Sequence, residues 1–399
     1  MAVLPLNILY TITSYPPAVG GAQLHTHQVA RELARADNVQ VITQWTEHRT
    51  DWLLGTTLNA PRLTESYEID AVPVQTITLT QRERWQLAPY VLGYYGWKRG
   101  TVARIADVLA SKLDSLACDV EIIHNARVGR EGISYASLKV ARKRGVPFVF
   151  VPYHHPRWVG WNYKEYIALY RQADALIALT RVEKETLVGL GVQPERIYIT
   201  GMGPVVMPSA NGAERRRSHN LGDAPVILFL AQKYRYKGAS ALLEAAKYVW
   251  NRFPDARFVF VGPRTQYSRR LFASLDEPRI IELGSVSLQE KSEWLAACTL
   301  LCVPSSQESF GGVYTEAWMM GKPVIGGDIP AIREVIAEGE DGYVVSQHPA
   351  SIAEKICYLL DRPALAAQMG ARGRQKVLEC YTWDKLARKT KEVYESVLS

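Results

Sequence analysis

The chain has 399 residues, of which 47% are hydrophobic and 22% are charged, and this composition excludes a wholly disordered or fibrous protein. Domains usually hold ~100–200 residues, so the length predicts two or three of them. The net charge of +7 favours anionic partners such as phosphates or acidic lipids.

The start of the chain and its cysteines indicate where the protein works. The first residues lack a basic segment and are interrupted by Pro5 and Asn7, so we do not expect a secretory signal. No run approaches the ~18 apolar residues of a membrane-spanning helix. The five cysteines are scattered and form no Cys-x-x-Cys pair, which argues against a disulfide framework or a zinc cluster. We therefore expect a cytoplasmic protein, with the inner face of the membrane left open as its working place.

Short apolar runs alternate with amphipathic stretches in the first half of the chain. Strands are predicted at Leu6–Tyr10, Val39–Thr43, Val72–Leu79, Glu121–His124, Pro147–Val151, Ala175–Leu179 and Ile197–Thr200. Helices are predicted at Ala22–Arg35, Arg99–Leu116, Gly132–Arg144, Tyr163–Ala173 and Arg181–Leu190. This alternation predicts a doubly wound α/β domain with a parallel sheet.

Residues 81–99 stand out because aromatic and basic side chains are interleaved there. The stretch contains Trp85, Trp97 and three tyrosines, flanked by Arg82 and Arg99. Such a stretch could contact membrane lipid or stack on sugars. A helix that packs its aromatic face inside is the favoured interpretation, since exposed aromatic patches are uncommon.

The composition changes at Gly203–Asp223, which is rich in Gly, Pro, Ser and charge and has no periodicity, so it is predicted to be a linker. A second alternating series follows. Its strands are predicted at Val226–Leu230, Arg257–Val261, Arg279–Leu283, Leu300–Val303 and Pro323–Gly326. Its helices are predicted at Ala239–Arg252, Ser287–Ala297, Gly312–Met320, Ile329–Ala337, Ser351–Leu360, Pro363–Glu379 and Trp383–Val397. Two such halves predict a ligand site in the cleft between them.

The most informative stretch covers residues 304–317 and holds Glu308 and Glu316 on either side of Gly311 and Gly312. It follows an apolar strand and opens a helix. Glycines at such a turn let a ligand approach the backbone, and the amides at the helix start favour an anion. Carboxylates beside a phosphate site can accept hydrogen bonds from sugar hydroxyls. Two solvated glutamates at an ordinary turn are the alternative, and these residues alone do not decide.

Two further segments follow predicted strands. Lys233 and Lys237 come after Val226–Leu230, where cations could neutralise a diphosphate, although a charge run is more often a solvated face. Gly20 and Gly21 follow the first strand in a strand, loop and helix arrangement. The loop lacks the full dinucleotide-binding spacing, so a loop that approaches some other ligand fits better.

Several histidines lie near predicted strand ends. His124 ends one strand, and His154 and His155 end the next. A histidine there can hydrogen-bond a sugar hydroxyl or stabilise a developing charge, and a structural histidine is the alternative. His25 and His27 are two apart on a helix and face different directions, so a metal site is not expected from them.

Together these segments resemble the retaining glycosyltransferases of the GT-B fold, glycosyltransferase family 4, over nearly the whole chain. The motifs that carry the resemblance are Pro17-x-x-Gly20-Gly21-x-x-x-His25, Asp119–Asn125, Ala173–Thr180, Lys237-Gly238, Glu308-x7-Glu316 with its continuation to Val324, and Tyr381–Lys385. The family's fold comprises two Rossmann-like parallel-sheet domains facing across a cleft, and the C-terminal helix crosses back to the first. The resemblance implies an acceptor-side domain at 1–204 completed by helix 383–399, a linker at 205–224 and a donor-binding domain at 225–382.

The resemblance also implies roles for individual residues. Lys237 would hold the donor diphosphate, Glu316 the ribose hydroxyls and Glu308 the hydroxyls of the donor sugar. His124 would contact the sugar and complete the catalytic set with Lys237 and Glu308. Further donor contacts would come from Gly20, Gly21, Gln232, Lys233, Gly284, Val286, Ser309, Phe310, Gly311, Gly312 and Val313. His25, His154 and His155 would lie on the acceptor side, and neither a metal nor a cofactor is implied.

The sequence departs from the family at two places near the donor. The arginine of the family's phosphate-binding pattern aligns with Gln232, and a neutral amide cannot replace a bidentate cation. Either Lys233 or Arg235 compensates, or the affinity for phosphate is low. Pro330-Ala331 stands where the family commonly has two glycines, which stiffens a loop near the donor.

The resemblance implies a retaining, metal-independent hexosyltransferase. Its donor would be a nucleotide-diphosphate sugar. The sequence does not name the sugar, and UDP-glucose is the first choice on frequency alone, ahead of GDP-mannose and UDP-N-acetylglucosamine. Its acceptor would be a hydroxyl of a glycan or lipid-linked intermediate of envelope or exopolysaccharide biosynthesis, and the basic, aromatic stretch would suit contact with an anionic membrane. No nucleic-acid partner is expected. A nucleotide-sugar epimerase and a non-catalytic binding protein of the same fold are the alternatives.

Overall fold

The computed structural model describes residues 5–18, 20–47, 52–155, 159–273 and 275–399. The first four residues and Val19 of the predicted glycine-rich loop therefore lie outside the described residues. The described chain divides into two compact units, Met1–Gly201 with Trp383–Ser399, and Met202–Thr382. None of the helices in these ranges is both long enough and apolar enough to cross a membrane.

The strands of the first unit are β1 (Asn7–Ser14), β2 (Asn38–Trp45), β3 (Ser66–Ile69), β4 (Val72–Thr76), β5 (Ile122–Ala126), β6 (Phe148–Val151), β7 (Ala175–Ala178) and β8 (Ile197–Ile199). They form one sheet in the order β3-β4-β2-β1-β5-β6-β7-β8. All neighbours pair in parallel except β3 with β4. The helices are α1 (Gly21–Leu33), α2 (Gln81–Leu92), α3 (Lys98–Leu116), α4 (Gly132–Arg144), α5 (Lys164–Tyr170) and α6 (Arg181–Gly189).

The second unit contains α7 (Gly212–Ser218), β9 (Val226–Leu230), α8 (Ala239–Trp250), β10 (Arg257–Val261), α9 (Gln266–Phe272), β11 (Ile280–Glu282), α10 (Leu288–Ala297), β12 (Leu300–Val303), α11 (Gly312–Met319), β13 (Val324–Gly327), α12 (Pro330–Val335), β14 (Gly342–Val345), α13 (Pro349–Leu360) and α14 (Pro363–Cys380). Its sheet has the order β11-β10-β9-β12-β13-β14 and is parallel throughout. The central strands β9 and β12 are entirely buried, as expected when helices cover both faces of a parallel sheet.

The last helix, α15 (Trp383–Leu398), belongs to the first unit although the second unit precedes it in the chain. Its Tyr394 and Val393 are buried, and the Lys391 ammonium lies 2.8 Å from an oxygen of the Asp37 carboxylate. The predicted fold class, two doubly wound parallel sheets with a C-terminal helix that returns to the first domain, is confirmed.

The structure corrects several predicted elements. The strands β1 and β5 run four and two residues further than Leu6–Tyr10 and Glu121–His124 predicted. The predicted linker contains the helix α7, whose first turn is capped by the Asn211 side chain. Arg216 of α7 donates to the carbonyl oxygen of Ala297 at the end of α10, so this segment packs on the second unit. A helix of seven residues held by such distant contacts leaves no periodic signal in the sequence.

Candidate functional site

The carboxyl ends of β9 and β12 bring two distant segments together in the second unit. These neighbouring strands pair in parallel, so both chains leave the same edge of the sheet. The carbonyl oxygen of Tyr236 accepts a 2.9 Å hydrogen bond from the Ser306 amide. Gly238 has a φ of +85°, and a Cβ there would lie 2.6 Å from the carbonyl oxygen of Pro304. Only glycine fits this crossing, which fixes residue 237 beside the segment that contains Glu308.

Lys237 and Glu308 form a direct ion pair, although 71 positions separate them in the sequence. The Lys237 side chain is 17% exposed and the Glu308 side chain 10%, so the ion pair is mostly buried but still accessible to solvent. The Lys237 ammonium also lies 5.4 Å from the centre of the Tyr236 ring. Burial raises the pKa of Tyr236 to about 12. The arrangement offers one cation and one carboxylate side by side, as a phosphate bonded to a sugar would require.

Glu316 lies on α11 and pairs with a lysine that the sequence analysis did not identify. The Lys291 ammonium donates to Oε1 of Glu316 at 2.6 Å, from the neighbouring helix α10. The two side chains are 16% and 10% exposed, so the pair is largely buried. The only sequence signal was that α10 begins just after the segment containing Gly284 and Val286.

The turn between β12 and α11 has the strand, glycine and helix arrangement that the sequence predicted. Gly311 has a φ of +82°, and a Cβ there would lie 2.4 Å from the Tyr314 ring. Phe310 is buried and packs edge-on against Tyr381, with ring centroids 5.3 Å apart. The first turn of α11 contains no acidic residue, so its positive end is not neutralised from within the turn. Ser309, Gly312 and Val313 complete this turn.

Lys233 does not have the role that the sequence predicted. Its side chain is fully buried, and the ammonium donates to the carbonyl oxygens of Gly262 (2.6 Å) and Leu283 and lies 2.7 Å from Oε1 of Glu282. Burial lowers its pKa. The three donors of the ammonium are therefore used inside the protein, and they tie the ends of β9, β10 and β11 together. Lys233 cannot compensate for Gln232, which lies next to it and is partly exposed.

The segment containing Gly284 and Val286 follows β11 at the edge of the sheet. The carbonyl oxygen of Gly284 accepts a 3.1 Å hydrogen bond from the Gly262 amide, and Gly284 and Val286 are both partly buried. The Lys233 contact to Leu283 holds the residue just before them. The predicted donor residues Gly284, Lys237 and Glu308 thus all follow strands at the same edge of one sheet.

In the first unit, Gly20 and Gly21 lie after β1 and at the start of α1, as predicted. Gly20 precedes the helix with an extended backbone, and Gly21 is the first helical residue and is exposed. His25 follows one turn later but is buried, with its Nδ1 2.7 Å from the Tyr153 hydroxyl. Burial lowers the pKa of His25 to about 4, so the ring is neutral at pH 7. The structure gives His25 a packing role beside the loop and no exposed surface for an acceptor.

His124 does not lie at a strand end, and its predicted catalytic role is not supported. It occupies the middle of β5, because Asn125 and Ala126 continue the pairing with β6. The ring is 3% exposed, stacks on Tyr10 at 4.3 Å between centroids, and shares a 2.6 Å hydrogen bond with the Tyr394 hydroxyl. Burial lowers the pKa of His124 to about 3. His124 is a neutral link between the sheet and α15.

His154 and His155 follow β6, close to the predicted position. His154 is buried, and its Nδ1 lies 3.1 Å from the Tyr170 hydroxyl. Its amide donates to Glu183 at 2.5 Å, and burial raises the pKa of that carboxyl group to about 7. Arg127, the residue after β5, donates to the Tyr170 hydroxyl at 2.9 Å. This arginine was not predicted as a site residue, because the strand was expected to end at His124.

Two family models match most of the chain. The model described as "Glycosyl transferase 4-like domain" matches residues 20–203, and the model described as "Glycosyl transferases group 1" matches residues 212–376. The first model ends at residue 203, next to the boundary between the two compact units after Gly201.

Curated relatives match part of the chain. The chain is similar to a D-inositol 3-phosphate glycosyltransferase of Streptomyces avermitilis, with 30% identity over 57% of this chain and 52% of the relative. It is also similar to an alpha-maltose-1-phosphate synthase of Mycolicibacterium smegmatis, with 27% identity over 56% of this chain and 64% of the relative. The chain thus spans about half to two thirds of the length of these relatives.

Solved structures share the fold over nearly the whole chain. HepE of Anabaena in complex with UDP-glucose superposes with a TM-score of 0.76 at 17% identity, covering 98% of this chain and 100% of that chain. Sucrose-phosphate synthase of Thermosynechococcus elongatus has a TM-score of 0.72 at 18% identity, with 98% of both chains covered.

Proposed function

Because the chain belongs to the group 1, GT4-like glycosyltransferases, we propose that it transfers a hexose from a nucleotide-diphosphate sugar to an acceptor hydroxyl. The proposed donor is UDP-glucose, and the configuration at the anomeric carbon is retained. The observation that carries this proposal is the pairing of Lys237 with Glu308 beside the glycine turn that opens α11. This arrangement supplies a cation, a carboxylate and a helix start at one sheet edge, which are the groups that a sugar diphosphate needs.

The proposed donor would lie along the carboxyl edge of the second sheet. Neighbouring strands lie ~4.8 Å apart, so the three steps from β11 through β10 and β9 to β12 span ~14 Å. The nucleotide base would contact main-chain atoms of Gly284 and Val286 after β11, and Glu316 would accept from the ribose hydroxyls. Lys237 would neutralise the diphosphate, and Glu308 would accept from the hydroxyls of the sugar.

The proposed reaction is a front-face displacement. The bond between the anomeric carbon and the leaving phosphate oxygen breaks, the acceptor oxygen bonds to the same face, and the leaving oxygen takes the acceptor proton. Lys237 and the positive end of α11 stabilise the charge that develops on the diphosphate, and they would make a metal ion unnecessary. Glu308 is not assigned as a nucleophile, since its carboxylate is already paired with Lys237.

Named ligands of similar proteins support the choice of donor. HepE of Anabaena has been crystallised with UDP and with UDP-glucose, and a trehalose-6-phosphate protein of E. coli with UDP-2-fluoro glucose. The relatives' names include different acceptors or products, such as D-inositol 3-phosphate and maltose-1-phosphate, so they do not choose the acceptor. We propose a hydroxyl of a glycan or lipid-linked saccharide of envelope or exopolysaccharide synthesis, at the cytoplasmic face of a membrane.

One observation favours a second candidate, a binding protein that no longer transfers sugar. Gln232 stands where the family has a phosphate-binding arginine, and the adjacent Lys233 ammonium is fully engaged inside the protein. The diphosphate would then depend on Lys237 and the start of α11. Such a protein would bind the donor and show no turnover with any acceptor.

Ligand binding and turnover together test the proposal. Binding of UDP, GDP and ADP and of their glucose conjugates is measured by thermal shift, because a ligand that binds the folded state raises Tm. We expect the largest shift with UDP-glucose, loss of the shift in Lys237→Ala, and no effect of Lys247→Ala, an exposed lysine on α8. UDP release that requires an acceptor identifies a transferase. UDP-glucose converted to another sugar nucleotide without an acceptor would identify an epimerase, and binding without any turnover would identify the second candidate.

A further inference from the structure

The helix α2 presents an apolar stripe to solvent. Trp85, Pro89 and Leu92 recur at helical spacing, and all three are exposed, Trp85 to 71% and Leu92 to 84%. Arg82 continues the same stripe at the start of the helix and is also exposed. The opposite face, which includes Leu87, is buried in the core of the first unit. The prediction that the aromatic face of this stretch packs inside is therefore wrong for Trp85.

Three more exposed rings lie outside the helix, two of them within five residues of its end. Tyr95 and Trp161 stack with centroids 6.5 Å apart, and Trp97 lies against Gly100 and 6.2 Å from the Tyr90 ring. We call the set Trp85, Leu92, Tyr95, Trp97 and Trp161 the aromatic patch. Every tryptophan that is largely exposed among the described residues belongs to it.

A buried ion pair holds the aromatic patch from below. The Lys98 ammonium lies 3.0 Å from Oε1 of Glu131, and both side chains are almost fully buried. Tyr94, next to Tyr95, donates to the other oxygen of Glu131 at 2.8 Å. The same ammonium lies 5.5 Å from the centre of the Trp161 ring. These buried contacts hold the residues next to the exposed rings in place, so the rings are exposed as part of the folded structure.

The exposed charges next to the aromatic patch in the sequence are basic. Residues 81–104 contain five basic side chains and one acidic side chain, and three of the basic ones remain after the buried Arg84 and Lys98 are set aside. The acidic one, Glu83, is used internally, since it caps α2 and lies 3.1 Å from Lys112. Arg82, Arg99 and Lys164 are exposed, and the Lys164 ammonium lies 5.0 Å from the Trp161 ring.

We propose that the aromatic patch docks the first unit onto an anionic lipid bilayer. Tryptophan and tyrosine are suited to the level of the headgroups, leucine gains free energy when it leaves water for hydrocarbon, and the surrounding cations attract acidic lipid. A sugar platform would make no use of Leu92, and two copies of this surface would repel each other through their like charges. The inference does not depend on the transferase activity, because docking needs no nucleotide.

The test is co-sedimentation of the full-length protein with vesicles, without nucleotide. One set is phosphatidylcholine alone, and the other is phosphatidylcholine with an equal part of phosphatidylglycerol. We expect preferential binding to the anionic vesicles. Leu92→Ser should lower that partition by about tenfold, because a leucine side chain no longer enters the apolar layer. Arg82→Glu changes the surface charge by two units at ~1 kcal/mol each, so it should lower the partition by about thirtyfold, on anionic vesicles only.

Two controls separate docking from misfolding. Tyr248→Ser removes an aromatic ring of 53% exposure from α8 of the second unit and should leave the partition unchanged. Leu92→Ser should retain the wild-type Tm and UDP affinity, since the side chain packs against little. Failure of the wild-type protein to bind anionic vesicles, or equal binding by wild type and Leu92→Ser, would overturn the proposal. Self-association or glycan binding that Leu92→Ser abolishes, with no vesicle binding, would also overturn it.

Discussion

The ion pair between Lys237 and Glu308 leads to a prediction with opposite signs for two ligands. In Glu308→Gln, we expect free UDP to bind more tightly and UDP-glucose to bind more weakly than in the wild-type protein. The carboxylate competes with the diphosphate for the Lys237 ammonium and repels the phosphate charge, so its removal favours UDP. The same carboxylate is proposed to accept hydrogen bonds from the sugar hydroxyls, so replacing it weakens the binding of the sugar.

The exposure of the pair sets the size of the effect. Fully exposed ion pairs contribute ~0.2–1 kcal/mol, and removing one partner of a buried pair costs ~3–5 kcal/mol. With 17% and 10% of their exposure left, these side chains lie between the two limits, and we take ~1–2 kcal/mol, or ~5–30-fold in Kd for UDP. A hydrogen bond to a charged group contributes ~1.5–3 kcal/mol. Glutamine keeps one acceptor oxygen, so the sugar loses one such bond and the charge assistance of the second, ~3 kcal/mol together. This loss outweighs the gain, so UDP-glucose should bind about tenfold more weakly.

Isothermal titration calorimetry of UDP and UDP-glucose with both proteins measures the four values of Kd. Glu244→Gln is the matched control, because this exposed glutamate on α8 pairs with Lys247 at 2.7 Å and lies outside the proposed site. It should change neither Kd. If Glu308→Gln weakened both ligands equally, or strengthened both, the assignment of Lys237 to the diphosphate and Glu308 to the sugar would be refuted.

Two further predictions concern the residues around Glu316 and the core of the first unit. Lys291→Met should raise the Kd for UDP by about tenfold, because Glu316 loses the partner that orients it, whereas Lys291→Arg should largely retain affinity; calorimetry measures both, and an unaffected Lys291→Met would contradict the positioning role. His124 has a folded pKa of about 3 against an ordinary value near 6.5, so the unfolded chain binds a proton between these values that the folded protein does not, and stability falls as the pH drops below about 6.5. His124→Gln should therefore lose about 2 kcal/mol less unfolding free energy between pH 7 and pH 5 than the wild type, as measured by urea denaturation at both values. An identical loss in both proteins would show that the ring is not buried in its neutral form.

The sequence by itself determined the fold class and the main elements of the candidate donor site. The bounds of β9, β10 and β12 were predicted to the residue, because a strand buried on both faces is a continuous apolar run between polar turns. The pair Glu308 and Glu316 was identified for a similar reason, since both residues lie within one strand, turn and helix whose order is local. Lys237 could be placed near them because the carboxyl ends of parallel strands share an edge.

Only the tertiary structure decided which polar groups are available to a ligand. The sequence placed Lys233 and His124 among the ligand-binding residues, yet each is buried by elements that lie far away in the chain, β11 for Lys233 and α15 for His124. Lys291 was not predicted as a site residue, because its partner Glu316 is 25 positions away on another helix. The exposure of Trp85 was predicted wrongly for the same reason. Local spacing reveals which side chains share a face, but burial depends on what packs against that face, and distant segments decide that.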